Sequence, residues 1–556
     1  MATIEKQVHA NKLAENHKAI SIAEFFEKNK HLLGYENLQK SLLTVVREAV
    51  DNALDACEEA RILPEVYIEV LKVKNERFKV VIEDNGPGIV KKNIPNVFGK
   101  LLFGSKFHRL RQSRGQQGIG ISGAVLYAQL TSGKPAKIYS RINDGKTHIY
   151  ELRIDTQKND PEIISENMVY GSGHGTRIEM EVKGRYVRGK QSVYEYLQET
   201  AIMNPFAKLV FVDPDNEKFD FARAVDELPK EPREIKPHPS GVELGVLIRM
   251  LKLTSSRNIV GFLTTEFSRI GRGTAVEICE ASGIDPRITP TSLTRDEVEK
   301  MHISLGKAKI QRPPTDCLSP VGEEAIVEGI RKEMEPEFVT AVSRPPNVYQ
   351  GRPFQIEVGI GYGGPILDPQ NAIQLMRYAN KVPLLYEQSG CAITKSIIQT
   401  EWRRYGLSQS GGSLPSGPVV LTIHFASVWV PYTSEGKEAI ASYPEIIKEI
   451  KLALQEASRR LALFLGKKRR AGEALQRKTI FQRYSSEIAD AISVLTDKPI
   501  EPIKASLDSL IEDKMKTMDL GDAAATAEQK PPEDESDDGG EDNGFNGDEE
   551  KDEDSE

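Results

Sequence analysis

The sequence predicts an α+β protein of several domains, and three observations carry that expectation. Its 556 residues are too many for one hydrophobic core, so three or four domains are expected. An apolar stretch of helical period at 46–57 is followed by runs of strand-like alternation, VYIEVLKV and RFKVVIEDN. Beyond a proline-rich break at 228–241 the chain turns wholly helical, then returns to mixed strands and helices.

The first helix is the organising element. Val46, Ala49, Val50, Ala53, Leu54 and Cys57 recur at helical spacing, and Glu48, Asn52 and Asp55 share the opposite, polar face. A carboxylate and an amide one turn apart suit a defined chemistry. Glu48 can take a proton from water, and the Asn52 carbonyl can hold Mg²⁺. Most polar stripes on amphipathic helices are only solvated surface, so the later motifs decide.

The second strand ends in Asp84-Asn-Gly-Pro-Gly88. Asp84 can accept a hydrogen bond from an exocyclic purine amine, and Gly86 and Gly88 let the backbone approach the ring. Taken alone, the same residues make an ordinary turn. Next, Gly115, Gly118, Gly120 and Gly123 straddle the start of an apolar helix, 121–130. Successive N–H groups at a helix start form an anion cradle. No Gly-Lys-Ser/Thr follows and no strand directly precedes, which excludes a P-loop and a dinucleotide fingerprint. Gly104 to Arg114 is polar and basic, as a lid closing on phosphate would be. Strands KIYSRI and THIYELRI follow. Then Gly175-Thr176 opens another alternating strand, where the Thr176 hydroxyl can reach a base or simply start a strand.

Composition narrows the classes. No run of 18 apolar residues exists, and the first residues are polar without an apolar signal core, so neither a membrane span nor a secretory leader is expected. Four scattered cysteines without a CxxC pair argue against a zinc site or disulfide framework and fit a reducing cytoplasm. The net charge of −8 is dominated by the tail from Pro531 to Glu556. It holds 14 acidic residues against one lysine, leaving the remaining body at +5. The tail reads as disordered, and the mildly basic body can meet DNA phosphate.

The order of these motifs carries more than any one of them. ExxxNxxDA on a helix, DxGxG after a strand, a glycine lid and GT before a strand resemble the GHKL (Bergerat) ATPases. REAVDNALDAC, IEDNGPGI, FGKLLFGSKFH and SRGQQGIGISGA are closer still to the B-subunit family of DNA topoisomerase VI. So are PTDCLSPVGEE, SRPPNVYQGRPFQIEVGIGYGG, RYANKVPLLY and VPYTSEGKEAI further on. The resemblance spans roughly residues 20–515.

By motif, the resemblance implies Glu48 as general base, Asn52 as Mg²⁺ ligand and Asp84 as the adenine partner. Gly86, Gly88 and Thr176 would border the base. Asp55, Ser105, Lys106, Gly115, Gln116, Gln117, Gly118, Ile119, Gly120, Ile121, Ser122 and Gly123 would complete the ATP site. Lys437, arriving from the following domain, would reach the γ-phosphate. Its local sequence shows only a lysine near a helix start.

The implied architecture is a strap at 1–20, a GHKL α/β sandwich at 21–228, a helix–two-turns–helix insert at 229–310 and an α/β transducer at 311–470. A helical arm at 471–520 would dock on the DNA-cleaving partner chain of the family, its A subunit, with 500–515 the candidate contact, ahead of an acidic tail at 521–556. In the insert, Arg257, Arg269, Arg272, Arg287 and Arg295 either meet DNA phosphates or are solvated on a spacer bundle. Lys467, Lys468, Arg469 and Arg470 pose the same choice on the arm. In the transducer, strands at 354–362 and 419–430 are expected to bracket a helix around Ala372–Asn380. A long helix is expected from Glu438 onward.

DNA cleavage needs a tyrosine nucleophile and an acidic Mg²⁺-binding fold. None of the 17 tyrosines sits in a motif that marks it, and Asp213-Pro-Asp215 reads as a turn. Cleavage therefore belongs on another chain. The implied assembly is an A2B2 heterotetramer on double-stranded DNA at an archaeal-type nucleoid, with the ATPase domains dimerising on ATP. The alternatives are a MutL-like repair clamp, which leaves the helical insert and basic arm unexplained, and a GHKL chaperone. A histidine kinase fits least, because residues 1–40 offer no pair of dimerisation helices.

Overall fold

In the computed structural model, the described residues are 19–106, 109–115, 118–365, 371–434, 436–511 and 513. The strap expected at 1–20 and the acidic tail therefore fall almost wholly outside them, as do Gln116 and Gln117. The chain forms two compact units, Met1–Ala462 and Leu463–Glu556.

The first unit begins with α1 (Ile22–Lys28) and α2 (Leu38–Glu59). The Asn37 side chain caps α2 by accepting the Lys40 N–H, which satisfies an otherwise orphaned donor. The predicted apolar stripe is buried: Val46, Val50 and Leu54 lose all exposure, each contributing about 1.5–3 kcal/mol. The helix lies on a sheet built from β1 (Glu65–Lys74), β2 (Arg77–Asp84), β3 (Ala136–Ile142), β4 (Lys146–Asp155), β5 (Asp160–Tyr170), β6 (His174–Lys183), β7 (Lys208–Val212) and β8 (Lys218–Phe221). Their order is β5-β4-β3-β6-β2-β1-β7-β8, antiparallel except for β1 beside β7. Alternate residues of β1, such as Val66, Ile68 and Val70, face the helices. α3 (Ile94–Gly99), α4 (Gly120–Ser132) and α5 (Val193–Met203) complete that layer. β5 had no clear signal in the sequence. It is an edge strand with mostly exposed residues and Pro161 near its start, which only an edge tolerates. Asp213-Pro-Asp215 is the expected turn: the Asp213 carboxylate accepts the N–H groups of Asp215 and Glu217.

Four helices follow, α6 (Leu244–Leu253), α7 (Ile259–Glu266), α8 (Arg272–Ser282) and α9 (Arg295–Lys307). They enclose a core of their own around Leu247, Phe262, Ile278 and Met301. Thr294 and Glu297 close α9 with a reciprocal capping box. The five candidate arginines, Arg257, Arg269, Arg272, Arg287 and Arg295, are exposed, although Arg295 pairs with Glu299 at 3.1 Å.

α10 (Glu323–Met334) packs on a second sheet of β9 (Phe338–Ser343), β10 (Asn347–Tyr349), β11 (Arg352–Tyr362), β12 (Gln374–Ala379), β13 (Val382–Pro383) and β14 (Val419–Ser427). One expectation fails here. Residues 374–379 form a strand parallel to β14, and the crossover helix is instead α11 (Ala392–Ile398). The strand is buried on both faces, so no period-2 alternation marks it, and Arg377 hides by donating to the carbonyls of Leu384 and Tyr386. The long helix also starts later than Glu438. α12 (Pro444–Thr496) opens on a proline, which suits a first helical position, and 436–441 is loop.

In the second unit, 500–511 is helical and Ser485 donates to Asp508 at 2.9 Å. Phe481, Tyr484, Ile488, Val494 and Leu495 are exposed there. No helix among the described residues is long and apolar enough to cross a membrane.

Candidate functional site

A cavity of about 470 Å³ opens where α2, the ends of β2 and β6, the start of α4 and the loop around Lys437 converge. Glu48, Asn52, Asp84, Gly88, Ser105, Lys106, Gly115, Gly118, Ile119, Gly120, Ile121, Gly123, Thr176 and Lys437 all line it. Asp55, Gly86 and Ser122 lie behind the wall. Ser122 is turned inward and donates to the Ile119 carbonyl at 3.3 Å.

Strand β2 places Asp84 at the cavity floor. Its Oδ1 accepts the N–H of Gly86 at 2.8 Å and of Thr176 at 3.1 Å, so the carboxyl is fixed with Oδ2 left for a ligand. Burial pushes its pKa up to about 6, against those two N–H groups. Gly175, just before Thr176, holds φ +131°; a Cβ there would collide with the Asp84 carbonyl oxygen.

Helix α2 places Glu48 beside the first turn of α4. A side chain at Gly120 would strike its Oε2, so glycine lets the carboxylate reach the cradle. Arg47 donates to Glu48 Oε1 at 3.1 Å. Burial opposes the Glu48 charge, but Lys437 and Arg47 outweigh it and hold its pKa below the usual range. Glu48 is thus ionised at neutral pH. The Lys437 ammonium enters from the far side and donates to the Arg114 carbonyl at 3.1 Å. Asn52 is exposed one turn along, its Oδ1 facing the Gly115 backbone.

Asp55 has a different place from the one its helix face implied. It takes Lys106 at 2.6 Å and Arg114 at 2.9 Å, and it also accepts the Gly115 N–H at 3.3 Å. Burial raises its pKa, but Lys106 and Arg114 drive it well below the carboxylate range. Arg114 also pairs with Glu58, which Lys381 reaches at 2.8 Å. Alternating charges therefore run from the cavity wall to the β12–β13 turn. Asn380 in that turn donates to the Ser113 carbonyl at 3.0 Å, and Gln112 bonds both ways to the Ser319 backbone. Segment 112–115 is thus clamped between α2, the β12–β13 turn and the backbone at Ser319. No local motif marks these partners, because each pair is separated by tens to hundreds of residues. Arg114→Met leaves two buried carboxylates short of a partner. An expected cost near the lower end of about 3–5 kcal/mol follows, since both lysines remain. A fall of several degrees in the melting temperature by calorimetry checks it.

The sequence reading also missed the apolar sleeve of the cavity. Tyr35, Ile89, Val97, Phe98 and Ile178 line it, with Asn93 among them. Tyr35 stacks on Tyr127 with centroids 4.5 Å apart. A partly apolar slot above one carboxylate and beside an N–H-rich helix start has the chemistry to take an aromatic ring at one end and an anion at the other.

Fold and site together define an ATPase of the GHKL class. Residues 40–181 match the family model of histidine kinase-, DNA gyrase B- and HSP90-like ATPases, and residues 313–477 match the transducer of the topoisomerase VI B subunit. The chain is 48% identical over 532 residues to the B subunit of type 2 DNA topoisomerase 6 from Methanococcoides burtonii, across 94% of this chain and 85% of that one. It is 50% identical over 493 residues to that of Archaeoglobus fulgidus, across 88% and 81%. For Pyrococcus furiosus the figure is 42% over 570 residues, across 94% and 99%. The chain belongs to this family of topoisomerase VI B subunits.

Proposed function

We infer that this chain is the ATP-binding and ATP-hydrolysing subunit of a type IIB DNA topoisomerase, driving strand passage while a separate A subunit cuts DNA. The observation that carries it is the placement of Glu48, paired with Arg47 at 3.1 Å and set against the Gly120 turn of the glycine cradle, in a cavity that Lys437 also lines. Glu48 takes the proton of the attacking water. Asp84 Oδ2 accepts the adenine amine while its Oδ1 stays on Gly86 and Thr176. The N–H groups from Gly115 to Gly123, with Ser105 and Lys106, receive the phosphates, and Lys437 meets charge developing on the γ-phosphate. Asp55 acts indirectly, by holding Lys106 and Arg114.

Mg²⁺ fits the site. Asn52 offers a hard carbonyl oxygen facing the cradle, in a cavity whose lining includes the Glu48 carboxylate and no cysteine. Asn52 would hold the ion, which would neutralise phosphate charge. Chelation with EDTA is expected to abolish hydrolysis.

The partners follow from the family. Two copies dimerise through the ATPase fold on ATP, strapped by their N-terminal residues, and assemble with two A subunits in the cytoplasm. The exposed apolar residues of 475–510 support docking on that partner. Arg257, Arg269, Arg272, Arg287, Lys467, Lys468 and Arg470 are the candidate DNA contacts. Arg295 and Arg469 are already paired with glutamates.

Lys437→Ala tests the chemistry. Hydrolysis should slow by about 10²-fold with little change in ATP affinity. Glu48 loses the cation that most lowers its pKa, so the acid limb of the rate profile should move to higher pH. A large affinity loss with unchanged turnover would contradict that role.

A further inference from the structure

Lys437 is held in an unfavourable backbone conformation. Its φ is +54°, in the left-handed region that non-glycine residues avoid. Such a residue keeps that conformation only when its surroundings over-determine it. Both flanking residues are anchored to one helix. The Gly436 carbonyl accepts from Arg47 at 3.3 Å. The Glu438 carboxylate pairs with Lys40, in the first turn of the same helix. Lys40 and Arg47 are seven residues apart, two turns along one face of α2. The Lys437 N–H closes the loop on the Ser434 carbonyl at 3.1 Å.

The Lys40–Glu438 pair is no surface ornament. Lys40 is 4% exposed and Glu438 is 6% exposed. The ammonium also takes Glu36 at 3.0 Å and sits 4.8 Å from the centroid of the Tyr386 ring. A buried pair of this kind resists parting, because either member left alone is an uncompensated charge. It lies outside the cavity wall, so it touches neither nucleotide nor the reacting water.

We propose that Lys40 and Glu438 are positioning residues for hydrolysis: their buried ion pair, with the Arg47–Gly436 bond, holds the 436–438 loop so that the Lys437 ammonium stays aimed into the nucleotide cavity. The proposal rests on the role given to Lys437 above. Without the pair the loop relaxes to a right-handed or extended backbone, and the ammonium leaves the cavity. The lysine is then present in the chain but absent from the chemistry.

The test compares Glu438→Gln, Lys40→Met, Lys40→Arg and Lys437→Ala in the full chain, with ATP and Mg²⁺. Glu438→Gln and Lys40→Met should each lower kcat at least about tenfold, toward the Lys437→Ala value, with KM changed less than about threefold. Lys40→Arg keeps the charge and should retain most of kcat. Adding Lys437→Ala to Glu438→Gln should lower kcat no further, because both act through one group. The acid limb of the kcat profile should shift upward in Glu438→Gln as it does in Lys437→Ala, which a loss of stability alone would not produce. Should Glu438→Gln fail to fold, Lys40→Met carries the same comparison from the other side of the pair. Wild-type kcat in both variants, or losses that add to that of Lys437→Ala, would overturn the proposal while leaving the lysine's role intact. A slow Glu438→Gln beside a wild-type Lys437→Ala would overturn both.

Discussion

Glu48→Ala should bind ATP and dimerise as the wild type does, yet turn over about 10²–10⁴-fold more slowly. The reason is the division of labour in the cavity. Glu48 contributes little to holding a triphosphate, because it is itself an anion. Its removal even frees Arg47 and Lys437, both of which now neutralise it. What it alone supplies is a charged oxygen beside the cradle, kept deprotonated at neutral pH by two cations. Nucleotide affinity from a fluorescent ATP analogue, dimer formation by light scattering and phosphate release from the same sample separate these contributions. Hydrolysis persisting in Glu48→Ala would remove it as the base. Lost binding together with lost turnover would make it a structural residue.

Asp84→Asn should fail at the earlier step. The asparagine carbonyl can still accept the Gly86 and Thr176 N–H groups, so the local fold survives. Its amide then faces the adenine amine, donor against donor. A buried polar mismatch of that kind weakens binding at least ~100-fold. The pH dependence has a definite sign. The free-protein pKa of Asp84 is raised to about 6, and the ligand needs the carboxylate. ATP affinity should therefore weaken as pH falls through about 6, and Asp84→Asn should lose that dependence. Stability runs the other way. A carboxyl with a raised folded pKa contributes stability that is fully present below about pH 4 and lost as pH rises through about 6. At about pH 7.5, Asp84→Asn should consequently melt higher than the wild type while binding ATP poorly. A melting temperature that falls instead would mean that the Gly86–Thr176 clasp needs the charge.

The parts of the site that were legible in the sequence are those built within one element. Glu48 and Asn52 are one helical turn apart, so periodicity alone puts them on one face. Asp84 and Gly88 sit on one strand end, and the cradle is one loop running into a helix. Asp55 shows the limit of that reasoning. Seven residues beyond Glu48 it points the same way, but two turns along it meets the lid's Lys106 and Arg114 instead of the cavity. Lys437 lies 389 residues from Glu48, and nothing in its local sequence points to a cavity; the family resemblance alone singled it out. Strand 374–379 was misread because burial on both faces, with Arg377 among the buried residues, erases alternation and leaves a stretch that suits either period. Arg377 and Lys381 are buried charges whose partners come from other elements, which composition cannot announce.

The most direct test of the central claim is the linking number of a supercoiled plasmid. The chain, purified with its native DNA-cleaving partner, would be incubated with the plasmid, Mg²⁺ and ATP, beside a Glu48→Ala preparation. An ATP-driven type II enzyme powered by this chain gives relaxation in steps of two that requires ATP and disappears in the variant. Hydrolysis of ATP by the complex with every topoisomer unchanged would contradict it.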